Sequence, residues 1–185
     1  MQIRPYEPKY RDNVRFVCLY CDGPEDISDS TQHFLLTTYC DYYIEREGGN
    51  CFVAVNEKDE AIGYIICTES YDRFDRIFRE EFLTRIPEEQ KTLRYYAENS
   101  DTLQRKYKDC YPAHLHIDIL PEYQRMGIGN SLIHTLTEHL KGKGIKGVML
   151  SVSSDNLKGI AFYEKCGFTL LEKKPDMTAF GMLLN

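Results

Sequence analysis

The chain of 185 residues contains no tryptophan. It also has no apolar run approaching the roughly 18 residues of a membrane-crossing helix, which excludes a helical membrane anchor within it. Basic side chains are in the minority: 23 Lys and Arg face 29 Asp and Glu, a formal charge of −6. Sequence-independent binding to nucleic acid or to an anionic membrane face needs a basic surface, so neither partner is expected. The start Met1-Gln2-Ile3-Arg4-Pro5 carries no apolar secretory core, and the expected location is the cytoplasm. The seven cysteines, at 18, 21, 40, 51, 67, 110 and 166, are odd in number and scattered, which excludes a small disulfide scaffold. Cys18 and Cys21 make a C-x-x-C spacing, yet no second pair or histidine cluster completes a zinc site. They continue the stripe Val14, Val17, and packing is their expected role.

What is present fits a globular domain, with 42% hydrophobic and 28% charged residues. Short apolar strands alternate with amphipathic helices, without internal repeats, and this mixture predicts an α/β (α+β) fold. A first strand is expected over 2–6, helices over 9–20 and 31–46, and a strand pair over 51–56 and 61–68. The turn between that pair is Glu57-Lys58-Asp59-Glu60. A further strand follows over 114–120, a helix over 127–141, a strand over 147–152, a short helix over 157–165, and strands over 168–171 and 178–184.

Residues 71–108 lack strand alternation and read as a helical hairpin. Tyr71, Phe74, Phe78 and Phe82 recur at steps of three and four, as do Leu93, Tyr96, Ser100, Leu103 and Tyr107 beyond Pro87. Pro87 with Glu88 and Glu89 suits a helix first turn, where the missing N–H is not needed and acids meet the positive end. The aromatic stripe is expected to be the buried face of this hairpin, with a ligand wall as the alternative.

The stretch that carries chemistry runs from Leu115 to Gly129. A strand enters the loop Gln124-Arg125-Met126-Gly127-Ile128-Gly129, which opens into a helix burying Leu132, Ile133, Leu136 and Leu140. The first amides of a helix lack internal partners and its dipole is positive there, so the turn suits an anion such as a pyrophosphate. Gly127 and Gly129 remove side chains that would keep the backbone away from phosphates. The loop lacks the third glycine of the dinucleotide fingerprint and the Gly-Lys-Ser/Thr ending of the P-loop. Taken alone, G-x-G ahead of a helix equally suits close strand-to-helix packing.

About 30 residues on, after one more strand, comes Asn156 and then Ile160-Ala161-Phe162-Tyr163-Glu164-Lys165-Cys166-Gly167-Phe168. Here the chain resembles the GNAT superfamily of acyl-CoA-dependent N-acetyltransferases. That family's R/Q-x-x-G-x-G/A loop is matched by Gln124, Gly127 and Gly129, and its N-x-x-A-x-x-F-Y-x-x-x-G-F signature is matched closely from Asn156. The resemblance is clear over 112–173 and absent for 71–108, which reads as an insertion within a single domain, 1–185. The run His114 to Gly129 is also similar to acetyltransferase-like domains related to those attached to some O-GlcNAc hydrolases. The resemblance implies a mixed central sheet of six to seven strands flanked by helices, with acetyl-CoA as cofactor. It implies that backbone amides of Gln124, Arg125, Met126, Gly127, Ile128 and Gly129, with Asn130 in the following turn, hold the pyrophosphate. It further implies that strand four around Ile117 and Ile119 pairs with the pantetheine arm, and that Asn156 and Tyr163 approach the thioester. No metal is implied.

Acetyl transfer to an amine needs a neutral amine and a protonated leaving thiolate. An alkyl ammonium titrates near ~10.4, a thiol near ~8.5 and a phenol near ~10, so a base helps at one end and a tyrosine can serve as acid at the other. Tyr163 is the expected acid; its alternative role is a buried aromatic. His114, His116 and Asp118 share one face of an ideal strand, opposite Leu115, Ile117 and Ile119. His116 is the first candidate base, with Asp118 or His114 as orienter or substitute. Structural polar bonding is the competing account, a histidine-histidine-aspartate metal site is a further alternative, and a bulge would change which residues face the cleft. The loop 21–30 carries Asp22, Glu25, Asp26 and Asp29 with no basic residue, which suits an attraction for cationic amines or an ordinary solvated loop. The expected activity is direct transfer of acetyl from acetyl-CoA to an amine of a small molecule or peptide. A non-catalytic domain that binds acyl-CoA or a partner is the alternative, and the oligomeric state, homodimer included, is open.

Overall fold

The computed structural model describes residues 1–21 and 26–184. Seven strands form one mixed sheet in the order β1-β2-β3-β4-β5-β7-β6. They are β1 (Gln2–Pro5), β2 (Phe52–Val55), β3 (Ala61–Thr68), β4 (Ala113–Ile119), β5 (Gly147–Ser153), β6 (Thr169–Lys173) and β7 (Met177–Leu183). Every neighbouring pair is antiparallel except β4 and β5. All eight residues of β3 are buried, as befits a near-continuous apolar run covered on both faces.

One face of the sheet carries α1 (Arg11–Tyr20), α2 (Asp29–Leu36) and α3 (Tyr42–Arg46), with the 71–107 helices. The other carries α7 (Ile128–Gly142) and α8 (Leu157–Lys165). The helix expected over 31–46 begins two residues earlier, because Ser28 caps it by accepting from the Thr31 N–H. It is interrupted by a π-helical stretch, Thr37–Asp41. Val14 and Val17 are buried, while Cys18 and Cys21 at the end of the same stripe are only partly so.

The 71–108 segment is helical, but it is not a two-helix hairpin. It runs as α4 (Tyr71–Ile77), a π turn (Phe78–Phe82), a 3-10 turn (Leu83–Arg85), α5 (Lys91–Asn99) and α6 (Thr102–Tyr107). Tyr71, Phe74, Phe78 and Phe82 are all buried, so the aromatic stripe is a packing face. Beyond Pro87 two expectations are corrected. Pro87 does not open a helix; its carbonyl closes a turn onto the Gln90 N–H at 3.0 Å, and the helix starts at Lys91. The second stripe is broken as well, because the helix stops at Asn99 and restarts at Thr102. This rotation leaves Tyr96 58% exposed while Ala97 and Leu103 are buried.

The 71–108 segment is tied to the rest of the fold through Glu47, whose side chain is 1% exposed. Its carboxylate accepts from Tyr42 Oη at 2.8 Å, Thr68 Oγ1 at 2.9 Å, Asn50 Nδ2 at 3.1 Å and the Arg73 guanidinium of α4.

Candidate active site

β4 and β5 pair only at Ala113 with Val148 and at His114 with Met149. Beyond those residues the two parallel strands separate, and the β5-facing edge of Leu115–Ile119 is released. Unpaired N–H and C=O groups on such an edge can accept an extended, amide-bearing chain as an added strand. On its other edge β4 keeps an unbroken register with β3, from Gly63 opposite Ile119 to Thr68 opposite His114, without a bulge. The faces therefore alternate as in an ideal strand. Leu115, Ile117 and Ile119 belong to the core beneath α7 and α8, and His116 faces Tyr39 and Tyr43 on the other side.

The Gln124–Gly129 loop continues from the released strand. Arg125 (φ 64°) and Gly127 (φ 82°) both take left-handed conformations, and Gly127 is the N-cap of α7 with no side chain capping it. A Cβ at Gly127 would meet no atom within 4 Å. The glycine is thus there for its backbone angle, and the first amides of α7 have no side-chain cap. Gly129 has a different reason: a Cβ there would sit 2.8 Å from Phe162 Cζ, so it permits α7 to lie against α8. The Gln124 side chain ties the loop down, donating to the carbonyls of Ile119 at 3.0 Å and Cys21 at 3.1 Å. Arg125, Met126 and Asn130 are exposed at the mouth, and Asn130 Oδ1 lies 3.0 Å from Cys166 Sγ.

Asn156 caps α8, its Oδ1 accepting from the Gly159 N–H at 2.8 Å. Tyr163 is half-buried against Phe162, Phe168 and Phe180, with ring centroids 5.3, 6.0 and 6.1 Å away. Burial first, and then the proximity of Asp118, Cys166 and Cys21, pushes its phenol well above the ordinary range. The hydroxyl stays protonated at neutral pH, as a proton donor must.

The three polar residues of β4 do not form one cluster. Asp118 accepts a short hydrogen bond from Tyr64. His114 and His116 converge instead on Tyr43, whose Oη lies 2.9 and 3.0 Å from their Nε2 atoms. One hydroxyl has one hydrogen, so it donates to one imidazole and accepts from the other; the two rings carry their protons on opposite nitrogens. Burial lowers His114 well below 6.5, with the neighbouring His116 adding to it, and lowers His116 to about 4. The unfolded chain therefore binds more protons than the folded one between about pH 6.5 and 4. The stability these two neutral rings contribute is complete above that window and is lost as pH falls through it. We expect the melting temperature to fall between pH 7 and 5, and the fall to be shallower in His116→Gln. Equal slopes in thermal scans of the two proteins would show that His116 does not remain neutral in the fold.

A cavity of about 150 Å³ opens beside these histidines, between the π-helical stretch, β5 and the junction of α5 and α6. Sequence reasoning missed Tyr43, Tyr64 and the cavity residues of the insertion, because no motif or spacing links positions tens of residues apart. The acidic loop is only partly visible: Asp22 and Glu25 lie outside the described residues. Among the described residues, no group of three His, Cys, Asp or Glu side chains is arranged to hold a metal.

A family model, "Acetyltransferase (GNAT) family", matches residues 16–168. The chain belongs to the GNAT acetyltransferase family. Among solved GNAT-like structures, SsHAT superimposes with a TM-score of 0.89 at 25% identity, covering 100% of this chain and 98% of that one. Protein O-GlcNAcase of Rattus norvegicus is 26% identical over 179 residues, 89% of this chain but 20% of its own length. The chain therefore spans about a fifth of that relative. The [ribosomal protein bS18]-alanine N-acetyltransferase of Escherichia coli (strain K12) is 38% identical over 52 residues, 28% of this chain and 35% of its own. Among the described residues, no helix is long and apolar enough to cross a membrane.

Proposed function

We propose that the protein is an N-acetyltransferase that moves acetyl from acetyl-CoA directly to a primary amine while both are bound. The observation that carries this reading is the separation of β4 from β5 over Leu115–Ile119, on the stretch of chain that runs on into the loop of Gly127. It leaves a free strand edge for the pantetheine amides and uncapped helix amides for the pyrophosphate, in the order an extended coenzyme A requires. The coenzyme supplies an activated acetyl thioester. The backbone from Gln124 to Gly129 holds the diphosphate, and the β4 edge at Ile117 and Ile119 orients the arm.

On the other side of β4 the amine approaches with a free lone pair. As its nitrogen bonds to the carbonyl carbon and the carbon–sulfur bond breaks, one N–H proton must leave. His116, alone or through water, receives it, with Asp118 or His114 as orienter or substitute. Tyr163 gives its phenolic proton to the departing thiolate and regains one from solvent.

Titration calorimetry with coenzyme A, followed by thiol release from acetyl-CoA with an amine panel, tests this. We expect saturable binding and amine-dependent release. Gly127→Val should weaken coenzyme A binding about tenfold, because a left-handed φ costs an L-residue roughly 1–2 kcal/mol. Binding without release for any amine leaves a coenzyme-binding domain only, and absence of binding removes the proposal.

A further inference from the structure

The cavity beside the histidines is walled on its far side by Ser100, Asp101 and Gln104, all from the α5–α6 junction of the insertion. On its near side stand His114 and His116, and Thr38 of the π-helical stretch closes it. We propose that this is the acceptor pocket and that the insertion restricts it to a compact amine bearing a second hydrogen-bonding group, such as an amino alcohol. The proposal rests on the acyl-transfer reading above and specifies its substrate class.

Size is the first argument. A protein cavity of this volume admits about one six-membered ring, so the occupant has roughly five to eight non-hydrogen atoms. A peptide backbone with its side chains does not fit.

Polarity is the second. Buried polar atoms are normally paired, and an unpaired one costs stability until something satisfies it. Among the described residues five buried side-chain atoms have no partner, and three of them, Thr38 Oγ1, Gln104 Oε1 and His114 Nδ1, belong to residues of this one cavity. An apolar alkylamine would leave all three unpaired. Asp101 makes no separate demand for a cation, because Tyr71 Oη at 2.8 Å and Arg105 at 3.3 Å already hold its carboxylate.

The third argument is rigidity. Gln104 Nε2 donates to Ser151 Oγ of β5 at 3.1 Å, so the insertion is pinned across the mouth of the β4–β5 separation. The selecting wall stands at a set distance from the site of transfer.

The experiment compares acetyl-CoA turnover with 3-amino-1-propanol, with n-butylamine of the same heavy-atom count, and with a hexapeptide carrying a free amino terminus and a lysine. A site built to bond a substrate hydroxyl rejects the analogue lacking it. We expect kcat/KM for the amino alcohol to exceed that for butylamine at least tenfold, and the peptide to be poorer still. Gln104→Leu should bring the amino alcohol down to the level of butylamine through KM, and Thr38→Val should move the ratio the same way. Equal use of the two amines, a preference for the peptide, or an unchanged ratio in both variants overturns the proposal. If coenzyme A binds but no amine releases thiol, the acyl-transfer reading fails separately. The pocket is then judged by NMR titration of 3-amino-1-propanol: binding that weakens at least tenfold in Gln104→Leu supports it, and no binding overturns it.

Discussion

Tyr163→Phe is expected to lower kcat about 100-fold or more, with coenzyme A affinity and melting temperature almost unchanged. A positioned acid contributes roughly 10²–10⁴ to a rate when the leaving group would otherwise depart unprotonated. The ring's packing against Phe162, Phe168 and Phe180 survives in the variant, since phenylalanine keeps every carbon of the tyrosine ring. Only the hydroxyl is lost. Because its pKa is raised by burial and by Asp118, the phenol stays protonated through the alkaline range, so any loss of activity toward pH 9 belongs to another group. Rapid-quench or steady-state assays at saturating acetyl-CoA measure the effect. A kcat within threefold of the wild type would move the acid elsewhere.

Glu47→Ala is expected to destabilise the fold by about 2–6 kcal/mol, from roughly 1–3 kcal/mol for each of two buried hydroxyls that lose their acceptor. For a chain of this size that lowers the melting temperature by roughly 10 °C. The cause is not the lost attraction to Arg73, which is partly exposed and can turn to water. It is the two hydroxyls, Tyr42 Oη and Thr68 Oγ1, that are left in the core without their acceptor. Glu47→Gln keeps an acceptor oxygen and should fall between the two. Differential scanning calorimetry distinguishes them, and a shift under 2 °C for the alanine variant would mean that water replaces the carboxylate. The same network reaches α7, since Asn50 Nδ2 donates to Glu47 while its Oδ1 takes Lys143 at 2.9 Å. The lysines after α7 are thereby placed at the far end of a 15-residue helix from the Gly127 loop, roughly 20 Å away.

The loop and the strand before it each show where pattern and position part company. Gly127 and Gly129 look alike in sequence, and both suit phosphate approach. In the fold Gly127 answers to its φ and Gly129 to the ring of Phe162. Likewise, alternation along β4 put His114, His116 and Asp118 on one face, which the unbroken pairing with β3 bears out. It did not tell that the two histidines share Tyr43 while Asp118 goes to Tyr64, because those partners lie 71, 73 and 54 residues away.

Local chemistry was therefore enough for the strands, the helices outside 71–108, the glycine loop ahead of α7 and the family they belong to, since each rests on periodicity or on residues adjacent in the chain. Tertiary structure alone decided how β4 leaves β5, why the insertion breaks at Ser100, and which buried hydroxyls and imidazoles meet around the cavity. Such contacts close large loops, and their partners are chosen by packing and by the need to pair buried polar atoms, which leaves no repeating trace in the sequence.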